Sequence, residues 1–295
     1  MNQPSSLTFS AFASISIDRR ILTEGTTQGY LRLLDHATPT LGCHQIGAIS
    51  RGHVQECLAD CRDKLSPSTA QNVLKLIRSI LRDAGSTAAD NITVPVHEPS
   101  IRVLDASEVS TLRTYLAALE TPTAYALLVL MGTGLRRSEL LNLTVDDWRS
   151  GSRQLHVARS KSRRVRDVDV PDSLCEVLEK AVSDRMKQDS VTPHFESLKK
   201  ARVNFQSRAE TSGPLFAISK DTLRRALNSA CEAVGLPHIR IHALRHTRIT
   251  YLLIRGVTPL YVSQQAGHSS PAFTLSRYGH LVAASTEQRR SWCNA

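Results

Sequence analysis

Eight consecutive apolar residues, Ala124 to Met131, constrain the fold more than any other stretch of this 295-residue chain. A helix built from them has no polar face, so other elements must surround it. The run is far too short to cross a bilayer, which takes about 20 apolar residues. It therefore belongs at the centre of a packed core. Hydrophobic residues make up 41% of the chain, which is enough for such a core. Gly132-Thr133-Gly134 breaks this helix, and a short second helix begins within Leu135 to Leu143.

Other helices announce themselves by their caps. Ser66 precedes Pro67, and Val73, Leu74, Ile77, Ile80, Leu81 and Ala84 then form one stripe that ends at Gly85. Ser50 caps a helix carrying Val54, Cys57, Leu58 and Cys61, and a helix through Tyr30, Leu31, Leu33 and Leu34 ends before Pro39. Asp105 and Glu108 form a capping box ahead of Val109, Leu112, Leu116 and Leu119. A helix carries Leu174, Val177, Leu178 and Ala181, and residues 184–213 read as a polar surface excursion. Leu223, Ala226, Leu227, Ala230 and Val234 mark a further helix, and another runs from His242 to Arg255 and stops at Gly256.

One region alternates with period two. Val168 and Val170 alternate with Asp167 and Asp169, and Gln154 to Val157 lies across a basic turn, Arg159-Ser160-Lys161-Ser162-Arg163-Arg164. The expected architecture is mostly α with a small antiparallel β-sheet, an α+β chain. Helical residues 1–93 come first, 94–102 with two prolines form a linker, and 103–295 form a second domain.

Charge separates the two parts. Residues 1–100 carry 9 Lys+Arg against 9 Asp+Glu, and the remainder carries 28 against 18, so the whole net charge of +10 lies in the second part. That excess favours a polyanionic partner. The six cysteines form no Cys-x-x-Cys pair or zinc spacing, and they read as free thiols in a reducing cytoplasm. The first residues lack a basic region followed by an apolar core, so no signal peptide and no membrane partner is expected.

The chemistry concentrates between His242 and Tyr278. His242-Ala243-Leu244-Arg245 is followed by Gly267-His268 and by Arg277-Tyr278-Gly279-His280. His242 and Arg245 share a helix face. Arg136 sits on a different short helix and shares its face with Glu139. Two guanidiniums suit the non-bridging oxygens of one phosphate and the charge of a pentavalent transition state. Lys161 suits either proton donation to a leaving oxygen or simple phosphate tethering. His242 and His268 suit phosphate hydrogen bonding or proton movement. His242 and His246 have a metal-type spacing, but Ala243 stands where a zinc protease helix has Glu. Tyr278, with an unperturbed pKa near ~10, needs a base or nearby cations to attack phosphorus.

Four motifs then come together. Thr-Gly-Leu-Arg-Arg-Ser-Glu-Leu-Leu-Asn-Leu at 133–143, His-Ala-Leu-Arg-His-Thr at 242–247, Gly-His-Ser-Ser-Pro at 267–271 and Arg-Tyr-Gly-His-Leu at 277–281 closely resemble the tyrosine recombinases, in particular the phage-type integrases. The resemblance implies a helical core-binding domain followed by a catalytic domain. It implies that Arg136 and Arg245 clamp the scissile phosphate and that Lys161 is the general acid on the 5′ oxygen. His242 would accept the tyrosine proton, His268 would assist by hydrogen bonding, and Tyr278 would form a 3′-phosphotyrosyl link. Glu139 matches a supporting acidic position.

The implied function is site-specific DNA integration or excision for a mobile element, without cofactor, metal or ATP. The implied partners are double-stranded DNA recombination sites, three further copies in a homotetramer, and accessory DNA-bending or directionality proteins at the nucleoid. Two departures stand out. The family usually has Asp where Ala243 stands, and only 17 residues follow Tyr278, which abbreviates any docking on a neighbour. Two other functions compete. A type IB topoisomerase would relax any supercoiled plasmid, and an inactive DNA-binding protein would bind a site without cutting it.

Overall fold

In the computed structural model, residues 6–96, 101–158, 165–191 and 213–281 are described. They fall into two compact units, Met1–Ser100 and Ile101–Ala295. The expected linker at 94–102 lies partly outside the described residues, as do Cys293 and the tail from residue 282.

The first unit packs four helices, α1 (Phe9–Asp18), α2 (Glu24–Leu41), α3 (Arg51–Lys64) and α4 (Pro67–Asp83). Ser66 caps α4 through the Thr69 N–H, and Val73, Leu74, Ile77, Ile80 and Leu81 are buried as the stripe requires. Gly85 takes a left-handed φ of +78° and lets the Ser86 N–H reach back to the Leu81 carbonyl. Cys57 and Cys61 are buried free thiols, and burial pushes the Cys57 thiol up to about 12. They behave as small apolar residues. Pro39 corrects one expectation, because α2 runs through it to Leu41. The proline sits in the last turn, where the lost N–H removes a single helical bond. Burial of Leu34, Ala37 and Leu41 holds the turn in place.

The second unit surrounds α6 (Pro122–Thr133), the apolar helix. Every residue from Ala124 to Leu130 is buried. Around it pack α5 (Ala106–Leu119), α8 (Asp172–Val191), α9 (Lys220–Ala233) and α10 (Ile241–Ile254). Asp105 and Glu108 form the capping box of α5. Gly132 lies inside α6, not at its end. A Cβ there would stand 2.3 Å from Leu174 Cδ1, so the glycine admits α8 close against α6. The helix stops instead at Gly134, at a φ of +70°. The short α7 (Arg137–Leu140) follows. α8 also extends past residue 184 to Val191, a correction to the polar excursion expected from there. Apolar spacing stops short of the helix end, where Met186 and Lys187 are exposed. The rest of that excursion, 192–212, lies outside the described residues.

A three-stranded antiparallel sheet joins the helices: β1 (Trp148–Arg149), β2 (Gln154–Val157) and β3 (Arg166–Asp169), in that order. Leu155 pairs with Val168, and Val157 with Arg166. Leu155, Val157 and Val168 are buried. Arg166, two residues before Val168, shares the inner face with them. The chain ends its described part with α11 (Pro259–Ala266) and α12 (Pro271–Tyr278). Thr258 and Ser270 cap these two helices, each with proline at the first helical position.

Candidate active site

The end of α11 organises the site. Gly267 caps it with a φ of +65°, and the Gly267 and His268 N–H groups reach back to the Gln264 and Ser263 carbonyls. The next three carbonyls have no acceptor role within the helix. Each takes a different arginine. Arg166 Nε donates to the Gln265 carbonyl at 2.9 Å, Arg245 Nη2 to the Ala266 carbonyl at 2.7 Å, and Arg136 Nη2 to the Gly267 carbonyl at 2.7 Å. Three cations thus gather at the negative end of one helix.

Glu139 ties two of these arginines together. Its carboxylate accepts from Arg136 Nη1 at 2.7 Å and from Arg166 Nη2 at 2.9 Å, and it also accepts the Arg136 backbone N–H at 2.8 Å. It is only 2% exposed. Burial alone would push its carboxyl up. The hydrogen bonds and charges of Arg166, then of Arg136, outweigh that and hold it below its ordinary value. Arg245, 3% exposed, spends its other nitrogen Nη1 on the Gly134 carbonyl at 2.6 Å. Burial, then the neighbouring Arg136 charge, pushes it down to about 10, which leaves it a cation at neutral pH.

Tyr278 closes the site from α12. It is 2% exposed, and its hydroxyl lies 2.7 Å from His246 Nδ1. The His268 ring stacks over the tyrosine ring, 6.0 Å between centroids and 10° between planes. His268 is held by Thr274, its Nδ1 lying 2.7 Å from Oγ1. Burial pushes the Tyr278 phenol up, and Arg245, Arg277 and Arg136 pull against that without cancelling it. The three histidines shift the other way. Burial, then Arg245 and Arg136, takes His268 down to about 3. Burial, then His242, Arg277 and Arg245, takes His246 down to about 4. Partial desolvation, then Arg245 and Arg136, lowers His242 as well.

Arg136, Glu139, His242, Arg245, His268 and Tyr278, all expected from the sequence, therefore lie in one connected cluster. Lys161 lies outside the described residues. Two participants were missed. Arg166 carried a readable signal: period two puts it on the same buried face as Val168, and a buried arginine needs a carboxylate. His246 follows Arg245 directly, and its partner on α12 is 32 residues away, beyond any spacing argument. Ala243 packs among core residues such as Leu244, so an apolar contact occupies the place where the family usually has Asp.

Two results are expected from this geometry. A Cβ on Gly267 would stand 2.8 Å from the Arg166 guanidinium, which Glu139 and Gln265 pin in place. Gly267→Ala adds a left-handed non-glycine residue as well, a strain of about 1–3 kcal/mol. Urea unfolding of the variant should show a loss of at least that size. The lowered histidines set a pH dependence. Between their folded values, about 4 for His246 and about 3 for His268, and the ordinary 6.5, the unfolded chain binds more protons. Stability should rise with pH through that window, and thermal melts from pH 4 to 7 should show it.

Residues 102–284 match the Phage integrase family. The chain belongs to this family, and it is a member of the tyrosine recombinases. It is 28% identical over 179 residues to a XerC-like tyrosine recombinase of Caldanaerobacter subterraneus subsp. tengcongensis, a match covering 52% of this chain and 44% of that one. It is 30% identical over 157 residues to the integrase of Salmonella phage P22, covering 52% of this chain and 37% of that one. The matched region thus spans less than half the length of either relative. The integrase of transposon Tn1549, solved in complex with circular intermediate DNA, superposes with a TM-score of 0.79 at 18% identity. That likeness covers 98% of this chain and 99% of the other, and it shows the shared fold.

Proposed function

We propose that this chain is a site-specific DNA recombinase that cuts and rejoins strands through a 3′-phosphotyrosyl intermediate. The observation that carries the reading is Tyr278 held in a site where Arg136 and Arg245 converge on adjacent carbonyls of one helix end. Arg136 and Arg245 clamp the scissile phosphate and stabilise the charge of the pentavalent transition state. Glu139 supports Arg136. His268 assists by hydrogen bonding, and His242, to which the resemblance gives the tyrosine proton, holds its ring 4.9 Å from that of His246. Lys161, on sequence grounds, protonates the leaving 5′ oxygen.

Attack by Tyr278 exchanges one phosphodiester for another. The bond energy stays in the protein–DNA link, so rejoining requires no ATP. Catalysis then comes from positioning and charge. The net charge of +10, carried by the second part of the chain, suits a double-stranded DNA partner. Exchange between two duplexes breaks four strands, and one tyrosine for each calls for a homotetramer on DNA. Kinship with a phage integrase and the fold shared with a transposon integrase support a role in integrating or excising a mobile element. Accessory DNA-bending or directionality proteins and a nucleoid location belong to the same reading.

A pool of nicked suicide duplexes, built from the DNA flanking the gene and from randomised sequence, tests it. The protein should form a denaturant-stable adduct with a subset that shares one sequence, in the presence of a chelator and without ATP. Relaxation of supercoiled plasmid irrespective of sequence would instead favour the topoisomerase reading.

A further inference from the structure

The group that touches the tyrosine oxygen is His246. The Tyr278 hydroxyl stands 2.7 Å from its Nδ1, and the two rings are 5.5 Å apart at 49°. His242 is a step removed, its ring set edge-on against His246 at 4.9 Å. His268 lies near-parallel to the tyrosine ring, 10° between planes, and meets its face rather than its oxygen. The oxygen and the face of the phenol are thus met by two different histidines from two different elements.

We infer that His246 takes the phenolic proton as Tyr278 attacks the scissile phosphate. This rests on the reading of Tyr278 as the nucleophile. The step balances within the site. The Tyr278 oxygen bonds phosphorus, its proton moves to His246 Nδ1, the bond from phosphorus to the 5′ oxygen breaks, and that oxygen takes a proton from the general acid. Rejoining runs the same transfers backwards, so no net proton is consumed.

The surroundings suit this role. The charged and titratable groups acting on His246 are His242 and Arg245 on its own helix and Arg277 and Tyr278 on α12; His268, from the loop between α11 and α12, is coupled to it too. None of these is a carboxylate. The imidazole is therefore neutral at physiological pH, and a neutral ring accepts from a protonated phenol. A phosphate anion seated between Arg136 and Arg245 offsets the cationic charge that disfavours the imidazolium. The basicity of His246 then rises as DNA binds, when the proton must move.

His246→Asn places an amide oxygen near the position of Nδ1, keeping an acceptor that cannot take a proton. His246→Ala removes both functions. Single-turnover adduct formation by the full chain on the nicked-duplex pool should fall about 10²–10⁴-fold in both variants. The wild-type rate should level off with rising pH, while the His246→Asn rate should keep climbing as hydroxide replaces the base. Wild-type rates in His246→Asn with loss only in His246→Ala would reduce His246 to a positioning residue and overturn the proposal. A lost pH plateau in His242→Asn, with the plateau kept in His246→Asn, would move the role to His242. A wild-type protein that forms no adduct would overturn the nucleophile reading and this one with it. Side-chain ¹⁵N spectra of the wild-type protein without DNA give a readout independent of variant folding. They should show the proton on Nε2 of His246 and Nδ1 bare; a protonated Nδ1 would contradict the proposal.

Discussion

Tyr278→Phe should abolish the covalent protein–DNA adduct and leave DNA binding intact. The phenyl ring fits the same buried site, so the stacking of His268 survives. Only the hydroxyl is lost, and with it the oxygen that would join phosphorus. His246 Nδ1 also loses its 2.7 Å partner. A buried polar atom left without one costs about 1–3 kcal/mol, and His246 is only half-buried, so the lower end applies. The variant should therefore fold. Its binding should weaken with salt as the wild type does, because the charges of Arg136, Arg166 and Arg245 are unchanged. Gel shift and denaturing gel, run on the same duplexes, separate binding from bond formation. An adduct that persists in Tyr278→Phe would assign the nucleophile elsewhere.

Glu139→Gln should be the most damaging change in this region that removes no group expected to react with DNA. The carboxylate is 2% exposed and neutralises Arg136 and Arg166 at once. Removing one partner of a buried pair costs about 3–5 kcal/mol, because the remaining charge stays buried without compensation. Glutamine has one carbonyl oxygen where two carboxylate oxygens now accept, and its amide group would face a guanidinium. Arg166 on β3 then loses its anchor, and Arg136, the N-cap residue of α7, its orientation. Urea unfolding should show the stability loss, and adduct formation should fall with it. The pH sign follows from the lowered carboxyl. Its contribution is present above the ordinary carboxylate value near ~4.3 and disappears as pH falls through the lower folded value. The wild type should thus lose stability in acid, and Glu139→Gln should show a shallower loss over that range.

Much of this arrangement is legible in the sequence, and what is not has a physical cause. The burial of α6 followed from a run with no polar face. The caps at Ser66 and Asp105 and the stop at Gly256 followed from side-chain chemistry that acts within one turn. Local rules also explain the errors. Gly132 looks like a helix breaker by local rules, but the close approach of Leu174, 42 residues away, is what requires a glycine there. Pro39 looks like a stop by the same rules, but a proline in a last turn removes only one helical bond. The third strand, β1, is two residues long and too short for alternation to show.

The candidate site divides in the same way. Arg136, Arg245, His268 and Tyr278 are expected because their motifs resemble those of one family, and the fold brings the four together. Arg166 was visible in the period-two pattern once its face was taken seriously. The resemblance already places α10 and α12 at one phosphate, but that His246, and not His242, stands at the Tyr278 hydroxyl is legible only in the fold. The three carbonyls at 265–267 were equally hidden. Their role comes from the backbone at a helix end, and no side chain records it.

The central claim is that Tyr278 carries the DNA strand through its 3′ phosphate. Mass spectrometry of the nuclease-trimmed adduct tests it most directly. A single modified peptide containing Tyr278 should appear, with the nucleotide attached through a 3′ phosphate. A nucleotide on any other residue, or one attached through its 5′ phosphate, would contradict it.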